Sequence, residues 1–145
     1  MIRTLPTPVR DAALLIARLV VGVVLIAHGW QKVVTNGLGR TAEGFAEMGV
    51  PLPAVSAAYA SVIELVGGAL LVVGAATAVV GVLVVLDMLG ALVLVHIGNG
   101  VFVSEGGWEL VGMIGVTALL LAAVGAGRYS VDYALGTRRR AQLAT

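Results

Sequence analysis

Residues 11–34 read DAALLIARLVVGVVLIAHGWQKVV, an apolar run interrupted in its interior by one arginine. About 20 such residues in a helix cross a ~30 Å hydrocarbon layer, so the run is long enough to span one. Three blocks of the same kind follow, over about residues 54–76, 78–97 and 107–126. The 145-residue chain is 59% hydrophobic and only 12% charged, and its mean hydropathy is +1.05. A water-soluble domain of that length needs far more polar surface. The sequence predicts an all-α membrane protein, a four-transmembrane-helix bundle forming one domain over residues 1–145.

Prolines and glycines set the boundaries. Pro6 and Pro8 mark a loop before the first span, and Asp11 lies near its start, where the helix dipole favours an acid. Pro51 and Pro53 suit the entrance of the second span, and Gly98, Asn99 and Gly100 end the third. The first run contains Arg18 and ends without a small-residue cleavage pattern, so it reads as a retained span rather than a signal peptide. Between spans one and two, Thr41 to Gly49 has the pattern of a short surface helix, capped by Thr41 and ended by Gly49. Phe45 and Met48 share one of its faces, and Glu43 and Glu47 another.

Charge asymmetry predicts orientation. Arg3, Arg10, Arg128, Arg138, Arg139 and Arg140 flank the side that carries both termini, against Lys32 and Arg40 opposite. By the positive-inside rule both termini, including the basic tail over 128–145, are cytoplasmic. Trp30 and Trp108 then fall at the outer interface, and Tyr129 and Tyr133 at the inner one. The net charge of +1 and the absence of a basic face give no reason to invoke nucleic acid. The chain has no cysteine, which excludes disulfides, thiol redox chemistry and Cys-held clusters within it.

Arg18, Glu64 and Asp87 lie well inside the apolar runs. A lipid-facing charge at the bilayer centre costs ~2.5 to 3.5 kcal/mol on insertion scales, so these side chains should face each other or a polar cavity. Counting helix rise puts Arg18 ~10 Å, Glu64 ~18 Å and Asp87 ~15 Å from the cytoplasmic side, which predicts one shared cluster. With two carboxyls to one guanidinium, one acid, Glu64 or Asp87, is expected to hold a proton. The bland alternative is a buried ion network that fixes the register of the bundle.

A second polar set, His28, Lys32, His96, Asn99 and Glu109, is expected as an outer vestibule, with Glu105 or Glu109 available to Lys32. Asp87 and His96 are nine residues apart, about half a turn out of phase on a regular helix, so they share a face only if the helix bends. Two histidines on spans one and three admit a b-type haem, a weak reading because they satisfy no spacing motif. Around Glu64, the small residues Ala57, Ala60, Ser61, Gly67 and Gly68 permit a close helix approach.

Taken in order, these segments resemble the DoxX family of small bacterial membrane proteins. The resemblance rests on Arg18-Leu-Val-Val-Gly-Val with His28-Gly-Trp-Gln-Lys32, Gly49-Val-Pro51-Leu-Pro53, Glu64-Leu-Val-Gly67-Gly68, Asp87-Met with His96-Ile-Gly-Asn-Gly100, and Gly127-Arg128-Tyr129-Ser130 followed by Asp132. It covers roughly Asp11 to Leu135. It implies a four-helix membrane bundle related to the DoxD subunit of quinone-linked thiosulfate oxidation, and an association with redox assemblies that handle sulfur compounds and oxidative stress.

Three functional readings follow. In the first, the chain is a non-autonomous membrane subunit of an oxidoreductase, binding a quinone in an apolar slot whose protons pass through Arg18, Glu64 or Asp87, while a soluble redox enzyme supplies electrons. In the second it is a small proton-coupled transporter, and in the third a scaffold with no chemistry of its own. All three share membrane lipid as a partner and leave a homo-oligomer open.

Overall fold

The computed structural model describes residues 6–143, apart from the side chains at 138, 140, 141 and 143. Arg3, and the side chains of Arg138 and Arg140, therefore lie outside what is described. The described chain is helical throughout, with no strand. Three helices are long and apolar enough to cross a membrane: α1 (Thr7–Thr35), α3 (Pro53–Val73) and α4 (Thr77–Asn99). A short α2 (Leu38–Glu47) joins the first two, α5 (Glu109–Val124) is a shorter apolar helix, and α6 (Val131–Leu143) closes the chain.

The bundle is apolar inside and outside. Its centre is Val21 and Leu25 of α1, Leu71 of α3, Val80, Val84 and Met88 of α4, and Ile114, Ala118 and Leu121 of α5. On the outer side of α4, Val79, Val82, Leu86, Leu89 and Val93 recur at three- and four-residue spacing, each about half or more exposed. A helix that is hydrophobic all round belongs in lipid. Close approach depends on glycines: a Cβ on Gly22 would stand 2.7 Å from the Gly68 carbonyl oxygen, and one on Gly81 would stand 2.8 Å from that of Ala118. Gly68 belongs to the small-residue stripe expected around Glu64, and its partner Gly22 is on α1.

Helix boundaries depart from the sequence reading in instructive ways. Helix α1 begins at Thr7, with Pro6 as its N-cap and Pro8 in its first turn, because proline needs no amide partner there. Helix α2 starts at Leu38, so Thr41 is inside it and caps nothing. The α3–α4 turn contains Gly74 at φ +69° and Ala76 at φ +50°, and Gly125 at φ +91° ends α5.

The main surprise is irregularity within the helices. A π turn interrupts each long helix, at Gln31–Thr35, Ile63–Gly67 and Leu92–His96. One extra residue in a turn rotates everything beyond it by about 100°. That rotation supplies the phase change that Asp87 and His96 need to line one cavity.

Candidate functional site

Lys32, Glu64 and His96 each sit in one of the three π turns. The first two meet: Lys32 Nζ donates to Glu64 Oε2 at 2.6 Å and to Oε1 at 2.9 Å. The Lys32 and Glu64 side chains are 19% and 7% exposed, so this is a largely desolvated ion pair. Lys32 therefore pairs with neither Glu105 nor Glu109. The π turn has another consequence, since Asn36 N–H reaches back to the Gln31 carbonyl and leaves that of Lys32 to accept from Thr41 Oγ1 at 2.9 Å. Helix α2 is thereby tied to the turn that carries Lys32.

Beside the pair lies a cavity of about 520 Å³, mostly apolar in its lining, within the range of small-molecule sites. Five expected site residues line it: His28, Lys32, Glu64, Asp87 and His96. Phe45 of α2 and Met48 just past its end line it, and so does Tyr59 from α3. Each histidine is oriented through Nδ1–H, His28 donating to the Val24 carbonyl at 2.9 Å and His96 to that of Gly106 at 2.6 Å. In the neutral ring Nε2 then remains an acceptor. No group of three His, Asp or Glu side chains able to hold a metal ion occurs among the described residues.

Asp87 stands apart from the other groups. It is 93% buried on α4, and its Oδ2 meets no hydrogen-bonding partner among the described residues. A buried acceptor left unsatisfied costs about 1–3 kcal/mol, more for a charged group, so a polar ligand atom here would recover a real loss.

Arg18 does not join this cluster. Fully buried, it donates from Nη1 to the carbonyls of Leu71 at 3.0 Å and Val72 at 3.2 Å, and from Nη2 to that of Tyr129 at 2.5 Å. The first two are last-turn carbonyls of α3, where the helix dipole attracts a cation; that of Leu71 also accepts from Gly74 N–H at 3.1 Å. The expected trio of Arg18, Glu64 and Asp87 thus separates into a carboxyl pair at the cavity and an arginine at the end of the bundle near the termini. Asn99 and Glu109 also leave the site: Asn99 Nδ2 donates to the Val95 carbonyl at 3.1 Å, and Glu109 Oε1 accepts from Val103 N–H at 2.7 Å, both shaping the loop between α4 and α5.

The Gly127–Asp132 segment works at Arg18's end. Asp132 Oδ1 and Oδ2 accept from the amides of Ala76 at 2.7 Å and Thr77 at 2.8 Å, capping α4, and Asp11 Oδ1 accepts from Arg128 N–H at 3.3 Å. Burial pushes the Asp132 carboxyl up, but the Thr77 and Ala76 amides and the charge of Arg18 outweigh it and hold the group below its ordinary value. Nothing in composition or periodicity separates this cap from a surface acid.

The family model described as DoxX matches residues 13–97, a stretch that holds Arg18, Lys32, Glu64, Asp87 and His96. The chain belongs to the DoxX family. This DoxX protein has relatives described as membrane proteins. It is 33% identical over 139 residues to the "Uncharacterized membrane protein Rv3486" of Mycobacterium tuberculosis, with 86% of this chain and 82% of the relative covered. It is 33% identical over 129 residues to the inner membrane protein YphA of Escherichia coli, with 85% and 90% covered. With a Bacillus subtilis protein named "Putative oxidoreductase CatD" it shares 36% identity over 83 residues, 57% of this chain and 59% of that one. No solved structure matches the chain. Family and apolar helices together make this DoxX chain an integral membrane protein.

Proposed function

We propose that the chain is the membrane-embedded quinone-binding subunit of a redox assembly, a single four-span domain of the bacterial cytoplasmic membrane with both termini in the cytoplasm. The observation that carries this reading is the cavity itself: an apolar slot lined by the Lys32–Glu64 pair and by Asp87, whose buried Oδ2 has no partner among the described residues. A quinone needs apolar walls for its ring and tail and a few hydrogen-bonding groups for its oxygens, and this donor set fits it. When bound, it would supply two-electron, two-proton chemistry that the side chains cannot provide. Lys32 would hold one quinone oxygen, and Asp87 would exchange a proton at the other. The name of the Bacillus subtilis relative supports a redox setting. Without cysteine, the chain would take its electrons from a soluble partner.

The test is solvent extraction of the purified protein followed by mass spectrometry. A quinone is expected with the wild type and is expected to fall by about tenfold in a folded Asp87→Asn variant, which leaves the Lys32–Glu64 pair intact. A wild-type protein that neither copurifies with quinone nor takes one up from vesicles overturns the reading.

A further inference from the structure

The cavity has a side as well as an end. At the end nearest α2 it is covered by Phe45 and Met48, and Thr41 holds that helix to the Lys32 carbonyl. Its flank between α3 and α4 is different, because lining residues there also face outward: Tyr59 is 42% exposed, Leu86 54% and Leu94 46%. Leu86, Gly90 and Leu94 are four residues apart, a single stripe of α4. Along this stretch the first half of α3 packs on α1 and α2 rather than closing against α4.

Gly90 occupies the middle of that stripe. A Cβ built on it would meet nothing within 4 Å, whereas one on Gly22, Gly68 or Gly81 would collide with a neighbouring backbone. Close helix packing therefore explains the other three glycines and does not explain Gly90. What its missing side chain leaves is open space beside the cavity, one helical turn from Asp87. Val62 and Val66 on α3, and Val82, Leu89 and Val93 on α4, give the outer surface around this flank the apolar character of a lipid-facing wall.

We propose that this flank is a window through which the ligand enters sideways from the bilayer, and that Gly90 keeps it open. The proposal rests on the quinone-site reading and specifies its ligand: a neutral, lipid-dissolved molecule with a flat ring that passes between Tyr59 and Gly90. Its ring oxygens reach Asp87 and Lys32, and its tail remains in the window among the lipids. The apolar walls of this flank favour such a molecule over a charged, water-soluble solute.

The experiment follows loading of a photoreactive azido-decylbenzoquinone into the full chain in phosphatidylethanolamine–phosphatidylglycerol vesicles. Probe is mixed in, the sample is flashed after increasing delays, and labelled peptides are mapped by mass spectrometry. Label is expected on the wild-type segments that contain Tyr59 and Leu86–Leu94, displaced by excess unlabelled decylbenzoquinone. Gly90→Phe is expected to slow loading at least about tenfold, Gly90→Ala to leave it near wild type, and Tyr59→Ala to speed it. Should the phenylalanine fail to fold, Gly90→Leu and Tyr59→Ala carry the same test. If every Gly90 and Tyr59 variant loads at the wild-type rate while Asp87→Asn loses displaceable label, the window is wrong and the site stands. If the wild type itself takes no displaceable label, both fall.

Discussion

The ammonium of Lys32 lies 2.6 Å and 2.9 Å from the two carboxylate oxygens of Glu64, across the interface of α1 and α3, two helices long and apolar enough to cross a membrane. Both residues occupy the opening positions of π turns. Desolvating two charges is expensive, and their attraction offsets that cost only while both are present. The pair is a poor source of stability and a good way to hold a charge at a fixed place beside an apolar cavity.

Single and double replacements should therefore behave non-additively. Lys32→Met or Glu64→Leu alone strands a buried charge and is expected to lower stability by about 3–5 kcal/mol, while the double variant recovers most of that loss. Thermal unfolding in detergent measures the cycle. The double variant is also expected to fold and yet lose quinone, separating the pair's ligand role from its structural one. Simple addition of the two single effects would mean that the charges do not interact as the geometry requires.

Arg18 makes the opposite case. Its guanidinium reaches three carbonyls on two segments, Leu71 and Val72 from α3 and Tyr129 from the segment before α6. A lysine has one ammonium and no planar fork, so Arg18→Lys is expected to destabilise the protein by a few kcal/mol, of order 2–3, and to free the C-terminal segment. Hydrogen exchange over 127–143 should accelerate. Quinone retention by the folded fraction should be unchanged, because the cavity lining does not include Arg18. Loss of quinone with normal exchange in that segment would return Arg18 to the site.

How far the sequence went is clear from these two residues. Span length and composition are enough to place Arg18, Lys32, Glu64 and Asp87 within or beside apolar helices, and spacing puts Phe45 and Met48 on one face of α2. Depth counted along a regular helix does not fix azimuth, however, and the π turns change azimuth without altering composition or hydropathy. So Lys32 seemed bound for an outer vestibule and Arg18 for the carboxyls, whereas Lys32 meets Glu64 and the carbonyls ending α3 take Arg18. The window at Gly90 was hidden for a related reason, since a glycine needed for packing and one that leaves space look alike in a sequence.

The cap on α4 gives a pH dependence with a definite sign. Asp132 accepts from the Ala76 and Thr77 amides and is held below the ordinary carboxylate value when folded. A carboxyl with a depressed folded pKa contributes stability that is fully present above its unfolded value, ~3.9, and that disappears as pH falls through the lower folded value. The wild-type minus Asp132→Asn difference in Tm should therefore be constant near neutral pH and shrink progressively below about pH 4. At neutral pH the variant is expected to lose about 0.5–2 kcal/mol, the range of a lost helix cap. Because Ala76 is held at φ +50° beside the capped amides, relaxation of that turn should accompany the loss and be visible as faster exchange at 74–78. A Tm difference that instead grew as the solution was acidified would mean that the carboxyl is destabilised in the folded state, and the cap would not be the source of its shift.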